Sequence, residues 1–151
     1  MKTNEMAVIE QIGADEFHKC SNIWDMEKCP FTDTFYQEIQ SGNRISFIYK
    51  INGEFIGQGD LVLDKDGYTV PDERIYLSRL IVKKEYRNLG IGSQITDFLI
   101  DKAKAWNYFE ITLGVDCDNE RAVHLYKKKG FEIYAQDKDE YGEFYKMLKK
   151  L

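Results

Sequence analysis

The sequence predicts a mixed α/β fold, in which a mostly antiparallel sheet contains one pair of parallel strands. An apolar strand over Ile75–Val82 is followed by a glycine-bearing turn and an amphipathic helix. A second apolar strand, Phe109–Val115, comes next, and a strand–helix–strand unit of this kind has parallel strands and a right-handed crossover. Asn52-Gly53 lies between two apolar runs and favours a type I′ hairpin turn, which adds antiparallel pairs.

The N-terminal region is predicted to contain a short strand and two helices before this hairpin. The strand covers Ala7–Ile9, and the first helix runs from Asp15, as its cap, to about Met26. A second helix is predicted over residues 31–39, with Thr32 or Asp33 as its cap. Within the second hairpin strand, glycines at two positions indicate a bulge or the close approach of another group: Gly57 and Gly59.

The strand before the glycine-bearing turn changes phase in its middle. Ile75 and Leu77 share one parity, whereas Leu80 and Val82 share the other. A β-bulge at Ser78-Arg79 would let both pairs face one core. A strand buried on both faces would explain the pattern equally well.

The C-terminal region is predicted to hold a helix and a final antiparallel hairpin. Asn119 is a good N-cap for the helix, and Gly130 suits the position just after its last turn. The hairpin strands are predicted over residues 131–135 and 143–148, with a polar loop between them.

Length and composition favour one domain over residues 1–151, and they argue against several partner classes. The formal net charge of −5 gives no overall basic footprint for nucleic acid or an anionic membrane. The 3 cysteines and 2 histidines show no metal-ligand spacing, so we expect no metal site. Because residues 1–6 lack the apolar core of a secretion signal and no apolar run could span a bilayer, we expect a cytoplasmic protein.

The turn after the phase-changing strand is suited to binding an anion. Arg87, Gly90 and Gly92 follow the spacing Arg-x-x-Gly-x-Gly. Glycine allows a tight bend and lets a ligand reach backbone N–H groups, and the start of a helix adds unpaired N–H donors. A dinucleotide-binding turn would have glycine or alanine where Ile95 stands, and a P-loop would have a Gly-Lys-Ser/Thr triplet that Gly92-Ser93-Gln94 does not supply. Taken alone, the motif also fits a turn without a ligand.

A second motif follows downstream: Asn119-x-x-Ala122-x-x-Leu125-Tyr126, closed by Gly130-Phe131. In order and separation, the two motifs resemble the signatures of the GCN5-related N-acetyltransferase (GNAT) superfamily. The resemblance implies the GNAT fold, a mixed, mostly antiparallel sheet splayed between two parallel strands and flanked by about four helices. It also implies a bulge that opens a cleft for the pantetheine arm, acetyl-CoA as the cofactor and coenzyme A as a product.

The same resemblance implies the residues of the site. The backbone near Leu80 and Val82 would pair with the pantetheine arm, which Asn119 would contact, and the Tyr126 hydroxyl would act as the general acid at the sulfur. Asn119 could instead only cap its helix, and Tyr126 could be a core aromatic. The predicted cofactor-binding residues are Leu80, Ile81, Val82, Arg87, Asn88, Leu89, Gly90, Ile91, Gly92, Ser93, Asn119 and Tyr126.

The general base is the point at which the sequence departs from the superfamily. Histone-type and polyamine-type members commonly carry a glutamate on the strand before the pyrophosphate turn, whereas this chain has Tyr76 and Ser78 there. Glu73 could act through a water, or the amine could lose its proton to solvent. The sequence identifies no base.

The expected function is therefore transfer of an acetyl group, by direct attack, to a primary amine of a small molecule or peptide. The alternative is a non-catalytic acyl-CoA-binding sensor or interaction module of the same fold. The acceptor itself is not predicted, although residues 24–30 and 64–72 are candidate acceptor-binding segments. Because exposed strand edges in this fold often pair, a homodimer is a further expectation.

Overall fold

The computed structural model describes residues 6–151 and centres on a seven-stranded mixed sheet. Residues 1–5, on which the expectation about a secretion signal partly rests, lie outside the described part. The spatial order of the strands is β1-β2-β3-β4-β5-β7-β6. The strands are β1 (Ala7–Ile12), β2 (Arg44–Ile51), β3 (Glu54–Val62), β4 (Arg74–Val82), β5 (Glu110–Asp116), β6 (Glu132–Asp139) and β7 (Gly142–Lys150).

Adjacent strands are antiparallel except β4 and β5, which are parallel. The helices are a 3₁₀ helix (Ala14–Asn22), α1 (Thr32–Ser41), α2 (Ile91–Ala105) and α3 (Glu120–Lys128), with a short 3₁₀ turn (Lys84–Tyr86) before α2. The predicted fold class is confirmed. None of the helices in residues 6–151 is long and apolar enough to cross a lipid bilayer.

The two N-terminal helices differ in detail from the sequence-based expectation. The first is a 3₁₀ helix that ends at Asn22, and Gly13 rather than Asp15 stands at its N-cap. Phe31 is the N-cap of α1, which has no side-chain cap. The Thr32 hydroxyl points back instead and donates a hydrogen bond to the Met26 carbonyl at 2.7 Å. Thr32 therefore holds the preceding loop rather than capping the helix.

The final hairpin is longer than predicted. Polar residues that the sequence assigned to a loop continue the strand ladder, with Gln136 opposite Tyr145 and Asp137 opposite Phe144. Only residues 140–141 remain for the turn. Because β6 is an edge strand and most of its side chains are exposed, polar residues can extend it without burial.

Helix α2 packs directly onto β3 where that strand has glycines. A Cβ at Gly57 would lie 2.8 Å from Ile95 Cδ1, and one at Gly59 would lie 2.6 Å from Ile95 Cγ2. No larger residue fits at this distance, so the predicted close approach at these glycines is confirmed, and the approaching group is the helix. The contact fixes the start of α2 against the sheet.

The predicted bulge in β4 is present at Arg79. Gln58 of β3 pairs with Ile81 of β4, whereas Asp60 pairs with Ser78, so β4 contains one more residue than β3 between these pairs. Arg79 has a φ of +59°. Beyond the bulge the apolar side chains that face the main core change parity, from Ile75 and Leu77 to Leu80 and Val82.

The parallel strands separate soon after they meet. β4 and β5 pair only over Arg74–Tyr76 and Glu110–Thr112, although both strands continue, to Val82 and Asp116. The sheet is therefore open between the two strands beyond Tyr76. The predicted splay is confirmed.

Candidate active site

The gap between β4 and β5 opens into a cavity of about 700 Å³. One wall contains residues 76–80 of β4, the opposite wall residues 113–116 of β5, and α3 closes the base with Asn119 and Tyr126. Side chains from the start of α1 and from the β6–β7 turn line the remaining side. The cavity thus has a half built on β4, β5 and α3 and a half lined by α1 and the loops.

The turn before α2 presents a run of unpaired backbone donors. Within residues 6–151, no acceptor faces the N–H groups of residues 88–93, and the first helical bond runs from Gln94 N–H to the Gly90 carbonyl at 3.1 Å. Gly90 has a φ of +83°, and a Cβ there would meet no atom within 4 Å. A Cβ at Gly92 would come no closer than 3.9 Å to Val82. Free donors beside open space are the arrangement that binds a diphosphate at a helix N-terminus.

The free edge of β4 leads from this turn into the gap. Lys83 N–H donates to the Ile56 carbonyl of β3 at 2.8 Å, and backbone polar groups alternate along a strand. Ile81 therefore turns its backbone groups towards β3, while Leu80 and Val82 turn theirs towards the gap. Arg87 Nε donates to the Val82 carbonyl at 2.9 Å, so this arginine ties the turn to the end of β4.

Tyr126 lies at the base of the cavity. Its side chain is 7% exposed and packs edge-on against Phe131, with ring centroids 5.8 Å apart. Burial, with a smaller contribution from Tyr76, raises the pKa of the Tyr126 hydroxyl. The described residues provide no hydrogen-bond partner for this hydroxyl, so it is available to a ligand in the cavity.

Asn119 caps its helix, as predicted, and also lies at the cavity. Its side-chain Oδ1 accepts a hydrogen bond from Ala122 N–H at 3.2 Å, which caps α3. The same side chain lines the cavity, and its Nδ2 donates to no other residue in the part of the chain that the structure describes. Capping uses the side-chain oxygen Oδ1 and leaves the amide NH2 group, Nδ2, for a ligand.

The candidate bases are placed differently from one another. Tyr76 and Ser78 line the cavity, whereas Glu73 does not. The Glu73 carbonyl accepts a hydrogen bond from Phe109 N–H at 2.9 Å, which places this residue at the closed end of the β4–β5 pair. Burial raises the pKa of Tyr76, so it stays protonated at neutral pH. Two carboxylates line the cavity, those of Asp116 and Asp139. Both residues are exposed, and neither lies on β4.

A buried polar network supports the loop-lined half of the cavity, and the sequence analysis did not find it. Arg44 Nη1 donates to Asp60 Oδ2 at 2.7 Å, and its Nε donates to Glu38 Oε1 at 3.0 Å. Gln58 Nε2 donates to Asp60 Oδ1 at 3.1 Å and accepts at Oε1 from Trp24 Nε1 at 2.8 Å. Burial raises the pKa of Asp60, which is 0% exposed, and Arg44 and Gln58 act in the opposite direction. The available signal for this network in the sequence was Asp60, a charged residue inside the apolar strand β3.

The two predicted acceptor-binding segments contribute unequally. From residues 64–72, Lys65 and Tyr68 line the cavity. The Tyr68 ring stacks on Tyr76 at 4.4 Å, and its hydroxyl lies 2.6 Å from where a Cβ on Gly114 would be. From the other segment, Trp24 is buried beneath the cavity, and the lining begins after it, at Phe31.

Comparison with known proteins identifies the family. The model of the Acetyltransferase (GNAT) family matches residues 9–131. The chain belongs to this family. The family assignment confirms the predicted fold and the predicted enzyme class, an N-acetyltransferase that uses acetyl-CoA.

Similar proteins within the family come from bacteria and yeast. An uncharacterized N-acetyltransferase of Lactobacillus delbrueckii subsp. lactis is 28% identical over 138 residues, which cover 87% of this chain and 79% of that one. N-alpha-acetyltransferase 30 of Schizosaccharomyces pombe is 34% identical over 91 residues, 60% of this chain and 59% of that one. The crystal structure of a GNAT acetyltransferase from Elizabethkingia anophelis with acetyl-CoA bound superposes with a TM-score of 0.76 at 20% identity, covering 96% and 98% of the two chains.

Proposed function

We propose that this chain transfers the acetyl group of acetyl-CoA directly to a primary amine, without an acyl-enzyme. The observation that carries the proposal is the gap between β4 and β5, which opens onto the Tyr126 hydroxyl in one cavity. An acyl-enzyme would need a nucleophile activated by a base in that cavity. No cysteine lines the cavity, and the Ser78 hydroxyl accepts a hydrogen bond from Arg44, which is not a base. Cys20 is buried, and burial raises the pKa of its thiol to about 12.

Three parts of the chain would hold acetyl-CoA, which supplies the acetyl group as a thioester. The free N–H groups of residues 88–93 would donate to the pyrophosphate. The outward backbone of Leu80 and Val82 would pair with the pantetheine amides as an added strand. The free side-chain amide NH2 group of Asn119 would contact the same arm. These groups hold the donor almost entirely through backbone atoms.

Tyr126 is the proposed acid. Because burial raises its pKa, the hydroxyl enters the reaction protonated and donates a hydrogen bond to the sulfur as the C–S bond breaks. The proton that leaves the acetylated amine balances the one that the thiolate gains. Holding a hydrogen-bond donor at the point where negative charge develops lowers the barrier.

The acceptor fits an α-amine better than a lysine side chain or a polyamine. β4 carries no carboxylate in the cavity wall to remove the proton. A peptide α-amine, with a pKa of about 8, is partly neutral at neutral pH, whereas a lysine amine, with a pKa of about 10.4, is almost fully charged. The relative from Schizosaccharomyces pombe is itself named as an N-alpha-acetyltransferase. We therefore propose that the amine loses its proton to solvent at the open cavity.

The second candidate is an acyl-CoA-binding sensor of the same fold. It is favoured by one observation, the absence of a carboxylate on the β4 wall of the described cavity. A sensor would bind acetyl-CoA through the same backbone groups and would turn nothing over. Turnover separates the two candidates.

The test is coenzyme A release from acetyl-CoA with a panel of amines and peptides, measured for the wild type, Tyr126→Phe and Tyr108→Phe. Tyr108 is half-buried outside the cavity and serves as the matched control. We expect Tyr126→Phe to lower kcat about 100-fold or more, with acetyl-CoA affinity unchanged, because only the proton donor is lost. Tyr108→Phe should keep the wild-type kcat.

Each outcome has a distinct meaning. Unchanged kcat in Tyr126→Phe would contradict the acid role. Calorimetric binding of acetyl-CoA without turnover on any acceptor would favour the sensor. Failure to bind acetyl-CoA would overturn both candidates. A blank without acceptor corrects for the thiols of the 3 native cysteines.

A further inference from the structure

The β4 bulge places an arginine side chain in the loop-lined half of the cavity. Arg79 has a φ of +59°, which few residues other than glycine adopt, and its side chain lines the cavity. Its guanidinium lies 4.2 Å from the ring centroid of Trp24 and 5.3 Å from that of Phe35. Cation–π contact with two rings restricts where the guanidinium can lie.

The donors of Arg79 have no partner among residues 6–151. Its Nε is buried without an acceptor, and no other nitrogen of the side chain makes a hydrogen bond or ion pair with a described residue. The two terminal nitrogens are not among the buried unpaired atoms, so they retain access to solvent, and Arg79 is one of the residues that line the cavity. A buried or half-buried donor left unpaired is unfavourable, which favours any ligand that brings an acceptor.

Arg44 provides an internal comparison. Its guanidinium lies 4.2 Å from the centroid of Phe35, the ring that Arg79 also approaches. Arg44 is paired with Asp60 at 2.7 Å and with Glu38 at 3.0 Å. The Asp60 carboxylate acts on Arg79 only from beyond ion-pair distance, since its oxygens are held by Arg44 and Gln58. Arg44 therefore has two carboxylate partners, whereas Arg79 has none among the described residues.

We propose that Arg79 binds a carboxylate of the acceptor, so that this chain acetylates amines that carry a carboxylate near the reacting nitrogen. The inference rests on the proposed function and narrows its acceptor class. A stacked guanidinium with free terminal amino groups matches the planar, two-oxygen geometry of a carboxylate. It disfavours polycationic amines, because a second positive charge would have to sit beside Arg79.

The position of Arg79 in the chain suits this role. It directly precedes Leu80, whose backbone turns towards the gap in which the thioester is proposed to lie. An acceptor whose carboxylate lies a few bonds from its amine therefore suits a site that has Arg79 beside this gap. Two sources share this chemistry, a free amino acid and a peptide with Asp or Glu near its N-terminus.

The experiment compares acceptors with and without that charge, and kcat/KM is referred to the concentration of neutral amine, because amidation of a free amino acid also lowers the pKa of its α-amine. One arm uses a free amino acid and its carboxamide, and the other uses C-terminally amidated peptides with Asp or Asn, and Glu or Gln, at the first two positions. kcat and KM are measured for the wild type, Arg79→Gln, Arg79→Lys and Lys65→Gln. Lys65 is a second cation that lines the same cavity from the β3–β4 loop and is the matched control.

We expect the wild type to prefer the carboxylate member of at least one arm by about tenfold or more in kcat/KM, which identifies the source. Arg79→Gln should abolish this preference by raising KM for the carboxylate acceptor while leaving the uncharged one unchanged. Arg79→Lys should keep part of it, because the charge remains but the planar fork is lost. Lys65→Gln should retain it.

Equal kcat/KM for both members of both arms in the wild type would overturn the inference, and so would loss of the preference in Lys65→Gln alone. Turnover of the uncharged acceptors would at the same time keep the proposed function intact. If no acceptor is turned over, thermal stabilisation of the coenzyme A complex by the carboxylate ligands replaces kcat/KM as the measure. Stabilisation by the carboxylate member that Arg79→Gln removes supports the inference, and equal stabilisation overturns it. Melting temperatures of the unliganded variants verify that each is folded.

Discussion

The sites proposed for acetyl-CoA and for the acceptor differ in the atoms that form them and in how far apart in sequence their residues lie. The part proposed to hold acetyl-CoA, called the donor half, uses backbone groups of β4 beside the cavity and of the turn before α2, which lies outside the cavity lining, within residues 80–93. The acceptor half is lined by side chains from distant segments, such as Phe35, Arg79 and Tyr141. A backbone-built site depends on where the chain bends, whereas a side-chain-built site depends on what the fold brings together.

This difference predicts how each half responds to substitution. Changes in the acceptor half should alter stability and acceptor choice and leave acetyl-CoA binding intact. Changes in the turn before α2 should weaken acetyl-CoA binding and leave acceptor choice intact. The predictions below test that separation.

The largest expected effect is that of Arg44→Met on stability. Removing Arg44 leaves the buried Asp60 without its ion pair, and breaking such a pair from one side costs about 3–5 kcal/mol in free energy of unfolding. The matched control is Arg74→Met, whose partner Glu110 lies at 2.9 Å with both side chains about a quarter exposed. We expect the control to cost about 1 kcal/mol or less.

Urea unfolding measures both changes. At a temperature where Arg44→Met is folded, its acetyl-CoA affinity should equal that of the wild type, because the donor half does not use this network. Equal unfolding free energies for the two variants would show that the network does not support the acceptor half.

A smaller effect is expected for Gly90→Ala, which tests the donor half. Gly90 has a φ of +83°, and an alanine there costs about 1–2 kcal/mol in strain. Relief of that strain would move the N–H groups of the turn, so we expect acetyl-CoA affinity to fall about tenfold, which corresponds to about 1.4 kcal/mol.

Gly42→Ala is the matched control, with a φ of +86° and equally open space around it, at the end of α1. Both variants should lose similar stability, and only Gly90→Ala should lose affinity for acetyl-CoA in calorimetry. Loss of affinity in Gly42→Ala as well would contradict a local role for the turn.

The smallest expected effect concerns alkaline pH. Burial raises the pKa of Tyr126, so its protonated form persists to higher pH than that of a free phenol. kcat/KM should rise as the acceptor amine deprotonates and then stay level from pH ~9 to ~10.5, whereas a phenol with a pKa of about 10 would lose about three quarters of its donor form by then. Circular dichroism over the same range excludes unfolding, and a decline by pH ~9.5 that follows ionisation of Tyr126 would contradict the raised pKa of its hydroxyl.

The sequence predicted much of the donor half because its signals are local. Side-chain parity allowed a bulge at Ser78-Arg79 and the GNAT resemblance implied one, and Asn119 was expected and observed to cap α3. The first helix and the final hairpin were less well predicted, because 3₁₀ geometry and the length of an exposed edge strand leave weak patterns. The roles of Leu80, Val82 and Tyr126 in binding and catalysis stay predictions.

By itself, the sequence determined the fold class, the family and the glycine-bearing turn, since each depends on spacing along one stretch of chain. Only the tertiary structure decided that Glu73 lies away from the cavity, that Arg44 is paired and that Arg79 is not. The physical reason is that a charge acquires or lacks a partner through contacts between residues far apart in sequence. Periodicity and spacing carry no information about such contacts.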